Sequence, residues 1–218
     1  MPVSQLGNTI EKNTEFDSLN PIASKAASIL QTGGIVYLGE NHSKPEARHV
    51  VLGLIEQRSK FIGTIGLEIN TEDTEKYLGS DKGVKLLKVD PKFYRNSHYS
   101  FGDIVEAARA HHINVGFYDK QEPGRGNTID RQNHIADQIQ GYYQNRPSRS
   151  TWCGLSSTKK GVLILIGSDH LNRSQDMYKS KNWEALQALV SSGTSVRHGY
   201  SDTCTMVYTE AKQVKLNN

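Results

Sequence analysis

Short apolar runs that end in a charged or imidazole side chain are the feature that most constrains how this chain folds. Four such runs occur: "GIVYLGE" ends at Glu40, "FIGTIGLEIN" carries Glu68 near its end, "INVGFYD" ends at Asp119, and "GVLILIGSDH" ends near His170. Each run is short and rich in Ile, Val, Leu, Phe or Tyr, as is typical of strands buried on both faces. We therefore predict an α/β domain with a mostly parallel sheet flanked by helices.

The segments between these runs predict the remaining elements. "KPEARHVVLGLIEQRS", "DIVEAARAHH" and "TIDRQNHIADQIQGYY" have helical spacing of apolar residues. Residues 71–99 are long, polar and dotted with aromatics, which predicts a helical insertion after the second strand that covers the site. "TSVRHGYSDTCTMVYTE" alternates and contains a turn signal, so we predict a C-terminal antiparallel hairpin at the edge of the sheet.

Length and composition bound the domain count and the partners. We expect a polar, partly mobile segment over residues 1–20 and a single domain over residues 21–218. The 26 Lys and Arg residues nearly balance 23 Asp and Glu, without a long block of like charge, so we predict no nucleic-acid partner. The longest apolar run, "VLILIG", is too short to span a membrane.

Two other features concern the compartment. The N-terminus lacks the order of basic and apolar residues that marks a Sec signal, so we expect a protein of the cytoplasm or one exported by a specialised system. Cys153 and Cys204 are too few for a disulfide framework, and they either pair or stay free.

The polar residues that end the apolar runs predict a common site. The carboxyl ends of parallel strands lie on one side of a sheet, and ligands bind in the crevice there. Glu40, Glu68, Asp119 and His170 would meet at this rim. If the first two strands are neighbours, the two glutamates approach closely and the pKa of one of them rises. Each residue has a plainer interpretation, because a carboxylate at a strand end also caps helices or forms ion pairs.

Residues near the rim extend the candidate site. Gly39 precedes Glu40 and lets the backbone turn sharply, so that His42 and the amide groups of a new helix face the crevice. Arg131 begins a later helix, where it either clamps an anion or carboxylate or is simply solvated.

The spacing of the histidines and glycines in the sequence predicts neither a required metal ion nor a nucleotide-binding site. His42 and His49 are seven residues apart, about 10 Å of rise on a helix, so they do not simply ligate one ion. There is no H-E-x-x-H, no G-x-G-x-x-G, no phosphate-binding G-x-x-x-x-G-K-[ST] and no G-x-S-x-G. We expect no required cofactor, although a divalent metal or haem stays compatible with the histidines.

Four motifs in order resemble those of the erythromycin esterase, ChaN and Tiki superfamily. They are "YLGENHSKPEARH", "GLE" at the second strand's end, "DRQNHIADQI" and "VLILIGSDH", and the resemblance covers about residues 35–170. It implies a site made of Glu40, His42, Glu68, Arg131 and His170. It adds His49, Tyr94 and His98 as further residues of the site, and we also assign Asp119 to substrate binding.

The resemblance does not imply a single activity, because members of the superfamily differ in what they do. Erythromycin esterases and a related toxin endopeptidase activate water with a glutamate and histidines, Tiki-like members resemble metal-dependent proteases, and ChaN-like members bind haem. The paired histidines that follow the proline in ChaN-like members are absent, and only His49 is present there. Bacterial toxins and type III effectors of plant pathogens also belong to the superfamily, which would make the substrate a host protein or a small molecule.

The leading hypothesis is a hydrolase of ester, amide or peptide bonds. In it Glu40 or Glu68 deprotonates water, His42 and His170 orient the water and protonate the leaving group, and Arg131 stabilises negative charge. The alternative is a binding protein for haem or another anionic ligand, with a histidine as axial ligand and Arg131 on a carboxylate.

Overall fold

The computed structural model describes residues 14–42, 44, 46–90, 99–120, 129–149, 158–171, 196–197 and 204–209. Tyr94 and His98, which are predicted to contribute to the site, lie outside these residues, and so does Cys153. Cys204 is described, and its thiol is free and buried.

The helices and strands alternate along most of the chain. The helices are α1 (Thr14–Gln31), α2 (Glu46–Arg58), α3 (Thr74–Leu78), α4 (Asp81–Val89), α5 (Phe101–Ala110) and α6 (Ile129–Gln144). The strands are β1 (Ile35–Glu40), β2 (Ile62–Asn70), β3 (Asn114–Asp119), β4 (Ser148–Arg149), β5 (Thr158–Lys159), β6 (Gly161–Gly167), β7 (Val196–Arg197) and β8 (Cys204–Thr209). One-turn 3-10 helices cover Ser59–Phe61, Thr71–Asp73 and Ser168–Leu171.

The main sheet confirms the predicted fold class. Its strand order is β3-β2-β6-β1-β8-β7, and β4 pairs with β5 in a separate two-stranded sheet. The pairs β3-β2, β2-β6 and β6-β1 are parallel, as the four apolar runs predict. β8 runs antiparallel to both β1 and β7, so the C-terminal hairpin is also confirmed.

The strand order decides whether the strands that carry Glu40 and Glu68 are neighbours, the condition on which a close pair of carboxylates depended. β6 lies between β1 and β2, so the strands that carry Glu40 and Glu68 are not neighbours. Two strand spacings separate them, roughly 9 to 10 Å. Glu40 instead lies opposite Gly167 of β6 on one side and Cys204 of β8 on the other.

The alternating side chains of the sheet fill a hydrophobic cluster on each face. Val36 and Leu38 of β1 belong to a larger cluster with residues of α1, α2 and α5, while Ile35 and Tyr37 belong to a smaller one with residues of α6. A sheet covered on both faces explains why its strands read as nearly continuous apolar runs.

The structure agrees with only some of the predictions for the segments outside the main sheet. The insertion after β2 is helical, and its helix α4 packs against α5. Whether it covers the site depends in part on residues 91–98, which lie outside the described ranges, so its role as a lid stays a prediction. Helix α1 was not predicted, and it begins at Thr14, inside the segment assigned to a polar N-terminus. Within the described parts of the chain, no helix is long and apolar enough to cross a membrane.

Candidate active site

Glu40 is the buried anchor of the site. It ends β1 and is 1% exposed, because β6 and β8 pair with this strand on either side. The Arg48 guanidinium donates to both carboxylate oxygens, from Nε to Oε2 at 2.8 Å and from Nη2 to Oε1 at 3.3 Å. His42 Nδ1 donates to Oε1 at 2.7 Å. One carboxylate therefore orients an arginine and an imidazole at once.

Arg48 is held in place by the start of α5 as well as by Glu40. Its Nη1 donates to the Tyr99 carbonyl at 3.1 Å, and its guanidinium lies 4.2 Å from the centre of the Phe101 ring. A capping box fixes this chain segment, because the Ser100 side chain accepts from the Asp103 amide at 3.1 Å while the Asp103 carboxylate accepts from the Ser100 amide at 2.8 Å.

Gly39 has a different role from the one predicted. It pairs within β1, opposite Ile166 and Thr205, and so does not form a sharp turn. A Cβ on Gly39 would lie 3.0 Å from the Cα of Ser168 and 3.1 Å from the Leu171 side chain. The glycine is therefore needed for the close approach of the 3-10 helix that carries His170, not for a turn.

His42 is the accessible member of the cluster. Its side chain is 46% exposed, whereas that of Glu40 is fully buried. The hydrogen bond to Glu40 raises the pKa of His42, and this outweighs the opposing effect of partial burial. Since Nδ1 is bound to the carboxylate, Nε2 is the ring nitrogen that the geometry offers to a reactant.

Glu68 is placed by an irregularity in β2. Leu67 pairs with Phe117 and Asn70 pairs with Asp119, so two residues of β2 lie opposite Tyr118 alone. Such bulges re-aim side chains near functional sites. Glu68 Oε2 accepts from the Gly167 amide at 2.6 Å, and Oε1 lies 3.3 Å from His170 Nε2.

Arg131 connects Glu68 with Asp119. Its Nε donates to Asp119 Oδ1 at 2.6 Å, and its Nη2 donates to Asp119 Oδ2 at 2.9 Å and to Glu68 Oε1 at 3.1 Å. The structure thus brings the three residues together, with the arginine bound to protein carboxylates. Arg131 is mostly buried and not solvated, and the two carboxylates that it binds belong to the chain itself, while its role as a clamp for a bound anion stays a prediction.

His170 is buried beside Glu68 and has a second partner in α6. It is 5% exposed and follows β6 in the 3-10 helix Ser168–Leu171. The Gln132 amide nitrogen lies 3.3 Å from Nδ1, so it donates to that nitrogen when the proton of the neutral ring is on Nε2. Nε2 then donates toward Glu68. His170 supports Glu68 from inside the protein.

The pKa values of both glutamates are lowered, so the raised pKa that neighbouring strands would have produced is not found. Burial alone would raise the pKa of Glu40, but the hydrogen bond from His42 and the charge of Arg48 outweigh it. Burial likewise acts to raise the pKa of Glu68, yet His170, His42 and the Gly167 amide lower it to about 2. Separated strands and cationic partners replace the carboxylate repulsion that was expected.

These interactions bring five predicted residues into one cluster. Glu40 and His42 form one half, Glu68, His170 and Arg131 form the other, and the two halves meet above Gly167. Asp119 joins through Arg131. His49 packs edge-on against Tyr99, with ring centroids 5.2 Å apart, and is 5% exposed. Among the residues that the structure describes, no group of three or more His, Cys, Asp or Glu side chains is arranged to hold a metal ion.

Two buried residues of this cluster, Arg48 and Gln132, were not predicted from the sequence. Arg48 lies in a stretch of α2 that is buried from Ala47 to Ile55, and a charge in such a helix needs a partner. Gln132 occupies the buried stripe of α6 with Ile135, Ala136 and Ile139. A polar residue on an apolar stripe was the signal in the second case.

Comparisons of the chain with family models, with curated proteins and with solved structures find no match. The superfamily resemblance therefore stays an expectation based on four short motifs, and the site has to be interpreted from its own geometry.

Proposed function

We propose that this protein is a hydrolase in which His42, held by Glu40, activates water for attack on an ester, amide or peptide bond. The observation that carries the proposal is the pair itself: a half-exposed imidazole whose Nδ1 donates at 2.7 Å to a fully buried carboxylate. A carboxylate in this position fixes the tautomer and stabilises the imidazolium that forms when Nε2 takes a proton.

The assignment of the base differs from the sequence-based hypothesis. Both glutamates have lowered pKa values and accept hydrogen bonds from protein donors, so they are weak bases. The raised pKa of His42 makes its ring the better proton acceptor. Glu40 becomes the orienting group, and Glu68 supplies a negative charge beside the ring.

In this reaction a single group, the His42 ring, carries the proton from the water to the leaving group. The neutral His42 ring takes a proton from water at Nε2 while the water oxygen attacks the carbonyl carbon of the substrate. The tetrahedral intermediate collapses as the carbon to leaving-group bond breaks, and the His42 imidazolium returns the proton to the leaving oxygen or nitrogen. Products are a carboxylic acid and an alcohol or amine, without any co-reactant other than water.

The haem alternative has less support from the geometry. It assigns Arg131 to a propionate carboxylate of the ligand. The arginine instead donates to Asp119 and Glu68, and breaking that contact would leave two buried carboxylates short of a partner.

The proposal is tested by comparing the wild type with His42→Ala on mixed pools of esters, amides and peptides. Products are identified by mass spectrometry. His112→Asn is a matched control, because His112 is exposed and has a positive φ of 54°, which Asn tolerates. We expect His42→Ala to remove products that the control still forms, and added imidazole to restore part of the activity through the exposed site. If no product in any of the three bond classes depends on His42, the proposal is wrong.

A further inference from the structure

The end of the sheet opposite the candidate active site carries a group of basic side chains. β2 and β6 are parallel neighbours, so the residues just before them, which include Lys60 and Lys160, lie together at the amino ends of the strands. The seven residues of β6 separate this end from the rim by roughly 23 Å. We call the group the basic end, and it consists of Arg58, Lys60, Arg146, Arg149, Lys159 and Lys160.

Side-chain contacts bring the separate chain segments of the basic end together. The Phe61 ring contacts two of the cations, with Lys60 Nζ 5.0 Å and the Arg149 guanidinium 5.1 Å from its centre. Lys159 of β5 reaches the chain just after α6, where its Nζ donates to the Arg146 carbonyl at 3.3 Å. The cations are therefore neighbours in the fold, although they come from three stretches of the sequence.

The basic end has no acidic counterpart in the described part of the chain. None of its six cations forms an ion pair with a carboxylate there, whereas Lys88, Arg109 and Arg131 do. Arg58, Lys60 and Lys159 are exposed, and the other three cations are partly exposed. The positive charge of this end therefore faces solvent.

Arg146 is the cation that most lacks a counter-charge. Its Nη1 donates to the Tyr143 carbonyl, and its guanidinium lies 3.4 Å from the centre of the Tyr143 ring. Its Nε is buried without a hydrogen-bond partner, and burial lowers the pKa of this arginine. An anionic surface beside the basic end would offset that burial of charge.

Helix ends explain only part of this charge. The helices α1, α2, α5 and α6 all end at the amino-terminal side of the sheet, and each C-terminus carries about half a negative charge. Four such ends offset about two of the six cations. Glu56, the acidic residue near the end of α2, lies 3.5 Å from His111. Most of the positive charge is therefore available to a partner.

Two features favour an anionic lipid bilayer over a nucleic acid as that partner. The rings under the cations, Phe61 and Tyr143, are only 9% and 4% exposed, so they do not offer faces on which bases could stack. The helix C-termini repel phosphates that come into direct contact. A bilayer surface instead attracts long basic side chains through a field that extends over a Debye length, about 8 Å at physiological ionic strength.

We propose that the basic end is a peripheral docking surface for anionic lipid bilayers. A protein bound in this way presents the rim with His42, at the opposite end of the sheet, to the aqueous phase. The inference does not rest on the hydrolase function, because no hydrogen bond or ion pair among the described residues joins these six cations to the candidate site.

The test compares Lys60→Gln/Lys159→Gln with the matched control Lys82→Gln/Lys85→Gln. All four lysines are exposed, and each double variant removes the same charge from the whole chain. The control pair lies on α4, a helix that carries none of the candidate site residues. Binding is measured by co-sedimentation with vesicles of phosphatidylcholine and phosphatidylserine in equal parts, and with vesicles of phosphatidylcholine alone. Melting curves confirm that each variant is folded.

We expect the wild type to sediment with the phosphatidylserine vesicles, to stay in solution with phosphatidylcholine alone, and to dissociate as salt is added. Each cation near an anionic bilayer changes the partition coefficient by about fivefold, so Lys60→Gln/Lys159→Gln should lower it by about tenfold or more. The control should bind nearly as the wild type does. His42→Ala should also bind as the wild type does, whatever its effect on hydrolysis.

Three results would overturn the inference. The first is a wild type that does not sediment with phosphatidylserine vesicles, or that sediments equally with phosphatidylcholine alone. The second is an equal loss of binding in the two double variants, which would mean that net charge matters and the basic end does not. The third is binding of an oligonucleotide duplex, lost in Lys60→Gln/Lys159→Gln, by a protein that ignores vesicles, which would assign this end to nucleic acid.

Discussion

A single buried carboxylate controls the proton affinity of the accessible imidazole. Glu40 is buried and ionised, since Arg48 and His42 both donate to it, and its hydrogen bond raises the pKa of His42. A raised pKa makes the ring a stronger base but reduces the fraction that is neutral near pH 7. The reaction therefore speeds up as the pH rises through the pKa of His42, which lies above its ordinary value of 6.5.

Glu40→Gln tests this coupling. The amide keeps the shape of the carboxyl but lacks the charge, so we expect the pKa of His42 to fall and the rising limb of the profile of kcat/KM against pH to move to lower pH. The pKa is measured directly by NMR titration of the ring protons. Glu72→Gln, at an exposed position, is the control.

The same change leaves Arg48 buried without its carboxylate, which destabilises a fold. Glu40→Asp keeps the charge, and it should hold the pKa of His42 nearer the wild-type value than Glu40→Gln does. A His42 pKa that is equal in the wild type and Glu40→Gln, with both proteins folded, would contradict the coupling.

At the scale of the elements, the start of α5 affects the site through Arg48. Ser100 caps this helix and is 1% exposed, and the adjacent Tyr99 carbonyl accepts from Arg48. We expect Ser100→Ala to lower the free energy of unfolding by about 1 kcal/mol. Because the Tyr99 carbonyl also loses its fixed position, hydrolysis should fall as well.

Helix α4 supplies the matched control for the cap. Its Ser80 side chain accepts from the Gly83 amide at 3.1 Å, in a helix that carries none of the candidate site residues. Ser80→Ala should cost similar stability in urea denaturation and leave hydrolysis unchanged. Equal activity of the two folded variants would show that the cap of α5 only stabilises the helix.

Strand identity could be predicted from the sequence, but strand order could not. The four apolar runs are dense enough to identify β1, β2, β3 and β6, and their ends placed Glu40, Glu68, Asp119 and His170 on one rim. The insertion of β6 between β1 and β2 depends on which packing of helices buries the most apolar surface, a long-range property. The sequence could therefore not show that Glu40 and Glu68 are too far apart to form a close carboxylate pair with one raised pKa.

The side-chain contacts inside the cluster could not be predicted from the sequence either. Arg131 was assigned to a clamp or to solvent, and its actual partners are Asp119 and Glu68, two acids from different strands. Local patterns report which residues are buried but not which buried charges meet. Gly167 shows the same limit, because its missing side chain matters only once Glu68, His42 and His170 surround it.

At the scale of the whole molecule, the rim is a place where folding is coupled to protonation. The carboxylates of Glu40, Glu68 and Asp119 are buried there, with Arg48 and Arg131 as cationic partners. These groups come from β1, β2, β3, α2 and α6, so the ion pairs form only when the sheet and its helices assemble. Since the pKa values of Glu40 and Glu68 are lowered in the folded chain, protonation of these two carboxylates should destabilise the whole domain and not one element.

Acid titration of stability is the last prediction, and Glu68 is the residue that tests it. Its pKa is about 2 in the folded chain and near the ordinary 4.5 when unfolded, so the unfolded state binds more protons as the pH falls. The stabilisation is full above pH 4.5 and is lost progressively toward pH 2. At neutral pH it amounts to a value on the order of 3 kcal/mol.

Urea denaturation between pH 6 and pH 3 should show stability falling with pH in the wild type, and Glu68→Gln should be less stable at pH 6 with a shallower fall below it. Glu72→Gln, at an exposed position, should follow the wild-type curve. Parallel curves for the wild type and Glu68→Gln would mean that Glu68 is not the buried, ion-paired carboxylate that holds this rim together.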